Sequence, residues 1–170
     1  MTLRTIPFAA ALLIVACRTS DAPASSFSND PHAVPLPLIR FRTDSIAFEF
    51  YSGIGQAQNF VIRDAAAWND LWQRIYAGQT PTPPLPAVDF TQEMVVAAAM
   101  GGRPTGGYDI VLTEATQNSN GIVIAVRASS PGAHCFVTQA FTQPVDVARL
   151  AKSDASVQFE VTQQTVDCGP

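Results

Sequence analysis

The stretch Gly101-Gly102-Arg103-Pro104-Thr105-Gly106-Gly107-Tyr108 follows an apolar run and sets glycines five apart, the outer spacing of a phosphate-binding loop. Such a loop needs a lysine to reach the phosphates and a Ser or Thr hydroxyl beside it. Gly107 and Tyr108 occupy those two places, and the residues that follow alternate like a strand where a helix N-terminus should supply amides. Nucleotide binding is therefore excluded. A dinucleotide fingerprint is excluded too, because its glycine offsets and its surrounding βαβ unit are missing. Two readings remain. Arg103, Thr105 and Tyr108 form a presented recognition surface, or the stretch is a tight connection in which Arg103 ties down carbonyls and Tyr108 packs beside a hairpin.

Catalytic constellations are absent from the pattern of residues. His32 and His134 are the two histidines, and His134 adjoins Cys135, a neighbour relation that does not create nucleophile and base geometry. No HExxH pattern and no Cys/His cluster with metal-ligand spacing occurs. Asp89, Glu93, Asp109, Glu114, Asp146, Asp154 and Glu160 are scattered, and solvated faces are the expectation for all of them. The sequence predicts a non-enzyme with no cofactor and no metal.

The three cysteines divide into one and two. Met1-Thr2-Leu3-Arg4 precedes an apolar run from Ile6 to Ala16, too short for a bilayer span of roughly 20 residues but of signal-peptide length. Ile14-Val15-Ala16-Cys17 resembles a bacterial lipobox, so residues 1–16 are expected to be a lipoprotein signal peptide and Cys17 to carry a palmitate-type lipid. That places the chain in a bacterial cell envelope, held to a membrane and facing the periplasm or the surface. Cys135 and Cys168 are then an even pair in an oxidising compartment, where a disulfide is the default.

Of the 170 residues, 47% are apolar and 14% charged, against about 25% charged in an average soluble protein. The formal net charge of -4 leaves no dense positive field for a nucleic acid, and the weakly charged surface favours a protein partner. Residues 17–38 hold Ser, Asp, Ala and Pro with few large apolar side chains, a composition expected of a disordered tether. A single globular domain follows over 39–170.

Its periodicities predict an α+β, mainly β fold: an antiparallel sheet or sandwich-like roll of seven or eight strands with one helix. Ile46, Phe48 and Phe50 alternate as a half-buried strand, and a second short strand covers 59–62. Asp64 stands as an N-cap before Trp68, Leu71, Trp72, Ile75 and Tyr76, the apolar face of a helix over 65–77 that Gly78 terminates. After the loop of Pro81, Pro83, Pro84 and Pro86, the run 94–100 suits a strand buried on both faces. Residues 108–116 and 122–128 flank Asn120-Gly121, the signal of a hairpin with a primed turn. Further strands are predicted at 136–141, at 145–150 behind Pro144, and at 157–162.

The order of these features resembles a known family. Val95-Val96-Ala97-Ala98-Ala99-Met100-Gly101, then Arg103 to Tyr108, the Asn120-Gly121 hairpin, Ser130-Pro131-Gly132, and Val137-Thr138-Gln139-Ala140 through Thr142-Gln143-Pro144 resemble the PrcB C-terminal domain family over residues 95–150. That family takes its name from a lipoprotein that accompanies and stabilises a subtilisin-like protease at a bacterial surface. The resemblance implies a non-catalytic envelope domain that binds and stabilises a partner protein or protease complex, and it carries over no catalytic residue. Arg103-Pro104-Thr105-Gly106-Gly107-Tyr108 also looks like a variant of the Asn-Pro-Thr-Thr-Gly loop of chagasin-like inhibitors, which implies the alternative of a protease inhibitor presenting residues 101–108.

Overall fold

A computed structural model describes residues 33–41 and 51–169. The signal segment, Cys17, His32 and the strand expected at Ile46–Phe50 lie outside the described residues.

Among the described residues, eight strands and one helix form three layers. Strands β1 (Val34–Leu36), β2 (Ile39–Arg40) and β3 (Gln58–Ile62) precede helix α1 (Ala65–Ile75). Strands β4 (Glu93–Ala99), β5 (Asp109–Asn118), β6 (Gly121–Pro131), β7 (Val145–Ala151) and β8 (Val157–Val166) follow it. They build two four-stranded sheets, β1-β5-β6-β8 and β2-β7-β4-β3. The fold is thus mainly β with a single short helix, as the alternations imply.

The second sheet is the middle layer, which explains the unbroken apolar run of β4. Met94, Val96 and Ala98 pack with Leu112, Ile122, Ile124, Val126 and Leu150 in the core between the sheets. Val95, Ala97 and Ala99 join Val147, Phe60 and the helix residues Trp68, Leu71, Trp72 and Ile75 on the opposite side. A strand covered on both faces has no use for alternation. The helix starts where expected, with the Asp64 carboxylate accepting from the Ala67 amide at 2.9 Å. Its tryptophans are core anchors with a second task. The Trp68 and Trp72 indole N–H groups donate to the carbonyls of Pro86 and Pro83 at 3.0 and 2.9 Å, fastening the proline-rich loop over the helix.

Four expectations about the strands and their connections need correction. The folded unit begins before residue 39, because Val34–Leu36 pairs with Leu36↔Ala115 and Val34↔Gln117 at the rim of the first sheet. The hairpin has no primed turn: Asn118 pairs with Gly121, and no described non-glycine residue has positive φ. The Asn118 side chain accepts from the Asn120 amide at 2.8 Å, and this Asx turn closes the connection in place of a primed one. Residues 136–141 form no strand, since the chain there crosses between the sheets. Finally, β8 runs parallel to β6. The chain leaves β6, passes through β7 in the other sheet and returns in the direction it left, a crossover that no alternation reveals.

Asp146, expected on a solvated face, is buried. It lies on the side of β7 that faces the first sheet. There one carboxylate oxygen accepts from the Leu112 amide at 2.8 Å and lies 2.8 Å from Arg40 Nη2, while the other accepts from Arg40 Nε at 3.2 Å. Strand β1 reaches only Ala115–Gln117 of β5, and Leu112 lies beyond it at a register shift between Leu112 and Glu114. The carboxylate supplies the acceptor that a longer β1 would have offered.

Two outcomes follow. Asp146→Ala leaves Arg40 and the Leu112 amide without their acceptor and should cost about 3 kcal/mol or more in urea unfolding. Burial pushes the Tyr76 phenol up from 10.0 to about 12. The folded state favours the neutral phenol, so this contribution is intact below about pH 10 and is lost as the pH rises toward 12. The alkaline fall in the urea midpoint should shrink in Tyr76→Phe.

Candidate functional site

The chain changes sheets twice at the same end of the sandwich, once between β4 and β5 through residues 100–108 and once between β6 and β7 through 132–144. The two crossings are bonded to each other. Arg103 and Thr142 exchange backbone hydrogen bonds at 2.7 and 2.9 Å, and the Gly106 amide donates to the Thr138 carbonyl at 2.9 Å. The Thr142 hydroxyl is buried and donates to the Thr105 carbonyl at 2.8 Å. Sequence patterns contain no sign of Thr142 or Thr138 in this role, because both partners are remote in the chain.

The glycine-rich stretch is explained by this clamp and by the segment leading into β3. Gly101 has φ of 76°, and a Cβ on it would lie 2.6 Å from the Ala57 nitrogen of the segment leading into β3. Gly107 has φ of 82°, and a Cβ there would lie 2.7 Å from Val137 Cγ1 of the second crossing. Gly102 lies under the Phe141 ring, and Gly106 is buried against Thr138. Arg103 Nη2 donates to the Met100 carbonyl at 3.0 Å, and its guanidinium carbon lies 5.6 Å from the Tyr108 ring centroid. Tyr108 packs on the core between the sheets. Pro104 is exposed and Thr105 half-buried. Of the two readings, this geometry matches the tight connection in which Arg103 ties down a carbonyl and Tyr108 packs inward.

What the clamp presents to solvent is the second crossing. Phe136 is fully exposed and Phe141 is 61% exposed, while Tyr51, also exposed, pairs beside Gln143. The Cys135–Cys168 disulfide joins this segment to the end of β8 with a Cα separation of 4.8 Å. Next to it, His134 Nδ1 lies 3.1 Å from an Asp167 carboxylate oxygen, an exposed pair. Arg103 also lines a cleft of about 370 Å³ between the sheets, shared with Gln58, Asn59, Met100, Val161 and Gln163. Among the described residues, no group of three or more His, Cys, Asp or Glu side chains is placed to hold a metal.

The close approach at Gly101 can be tested by comparing two glycines. Gly78 also has positive φ, 84°, but open space around it, so Gly78→Ala should cost only the backbone term, about 1 kcal/mol. Gly101→Ala adds a backbone clash and should cost about 3 kcal/mol or more in thermal unfolding. Equal costs would mean that the close approach to Ala57 does not matter.

No curated protein and no solved structure matches the chain. A family model does, and its span is informative: it runs from β4 to the end of β7, taking in both crossings and the two central strands of each sheet, while α1, β3 and β8 fall outside. The family that residues 94–151 match is the one described as PrcB C-terminal.

Proposed function

We propose that this chain is a non-catalytic, lipid-anchored protein of the bacterial cell envelope whose PrcB-like domain binds and stabilises a partner protein, with protease complexes as the partner class. The observation that carries the reading is the match of residues 94–151, which covers the clamped crossings. A fully exposed Phe136 supports it. A large apolar side chain wholly in water, on a segment fastened by a disulfide and by bonds to the first crossing, has the properties of an interface anchor. Phe141 and Tyr51 extend the aromatic character of this end. Cys17 supplies the anchor to the membrane, and Cys135 and Cys168 suit the oxidising compartment that such an anchor implies.

The inhibitor alternative asks residues 101–108 to enter a protease cleft. To do so the segment would have to part from Thr138 and Thr142, so the exposed second crossing is the better candidate for contact.

The test is cross-linking of the full chain in its native envelope, with Phe136→Ser/Phe141→Ser beside the wild type. The wild type should capture a partner whose half-life shortens when this chain is deleted. The double variant should keep its melting temperature and lose most of the captured partner. Unchanged capture would overturn the assignment of the surface, and an unacylated mature Cys17 by mass spectrometry would overturn the anchor.

A further inference from the structure

A strand at the edge of a sheet shows an unpaired row of amides and carbonyls, and proteins protect such edges with short strands, prolines, charges or bulges. Two of the four edges here are protected in that way, and a third is half the length of the fourth. β1 has three residues, one of them Pro35, and β2 has two. β3 has five and is followed by Arg63, whose guanidinium donates to the carbonyls of Ser153 and Ala155 at 3.0 and 2.8 Å.

The fourth edge lacks the short length, the proline and the bulge among these devices, and carries one charge. β8 is ten residues long and keeps an unbroken register with β6 from Ile122↔Val157 to Pro131↔Val166. It contains no lysine, arginine or proline, and its single charge is Glu160. Val161 and Val166 are 48% and 45% exposed. Among the described residues nothing pairs with its outer side.

We propose that β8 pairs with β8 of a second copy of this chain, antiparallel about a twofold axis, joining the two outer sheets into one of eight strands. A strand edge related to itself by a twofold is self-complementary in its backbone bonds. The side chains of β8 accept that arrangement. With the axis at Val161, Val161 meets its own image, Phe159 faces Gln163, and Glu160 faces Thr162. Residues directly opposite share a face, so both half-exposed valines at the centre are covered and neither carboxylate meets its image. An unlike partner would gain selectivity from charges along the edge, and β8 has one.

Sedimentation equilibrium of the full chain in density-matched detergent tests this, with Val161→Lys and Val161→Thr as variants. The wild type and Val161→Thr should dimerise at concentrations up to about 100 μM, and Val161→Lys, which sets two ammonium groups face to face, should weaken the dimer roughly ten-fold or more at an unchanged melting temperature. Hydrogen exchange gives a second measurement that needs no variant: β8 amides should gain protection as the wild type is concentrated. A wild type that stays monomeric, β8 amides indifferent to concentration, or a Val161→Lys chain that dimerises as well as the wild type would each overturn the proposal. The last outcome would assign association to the acyl chains or to another surface.

Discussion

The carboxylate of Asp146 holds the two sheets in place. It sits on β7 between the layers, takes the Leu112 amide from the opposite sheet, and pairs with Arg40 where the chain has just crossed from β1 to β2. A charge buried this far is tolerable only when its lone pairs are occupied, and here a guanidinium and a backbone amide occupy them. The geometry couples what would otherwise be separate choices. The register shift in β5, the shortness of β1 and the passage through Pro37-Leu38 meet at one carboxylate. A slip of either sheet would leave that carboxylate unpaired, so the interaction selects a register as well as stabilising one.

Between β4 and β5 and between β6 and β7 the same problem, moving the chain between layers, is solved with backbone bonds. Two crossings lie side by side and satisfy each other; their closeness requires glycine at 107, and the approach of residues 55–57 requires it at 101. The apparent motif is therefore a packing requirement. Its effect on function is indirect but physical: by fixing the second crossing, it gives Phe136 and Phe141 a rigid base, and a rigid aromatic loses little freedom when a partner covers it. The disulfide adds a third fastening at the end of β8.

Legibility followed the range of the forces involved. The helix was visible because its cap and its apolar face lie within a dozen residues of one another. The double burial of β4 was visible because seven apolar residues in succession can be covered only from both sides. The loop at 101–108 was visible as unusual, yet its meaning was not, since the atoms that demand glycine belong to Ala57 and Val137. The run 136–141 has the residue types of a strand, but its Thr138 carbonyl accepts from the Gly106 amide of the other crossing, so it crosses without joining a sheet.

By itself the sequence determined the mainly β class, the single capped helix, the strands at 94–100 and 145–150, and the pairing of Cys135 with Cys168, because each rests on local pattern or on parity of cysteines. Only the tertiary structure decided that β8 returns parallel to β6, that Asp146 is a buried tie, and that residues 101–108 are clamped while Phe136 stands in water. The reason is common to all three. Each depends on which remote segment fills the space beside a residue, and burial, unlike periodicity, is a property of neighbours that the chain brings together only by folding.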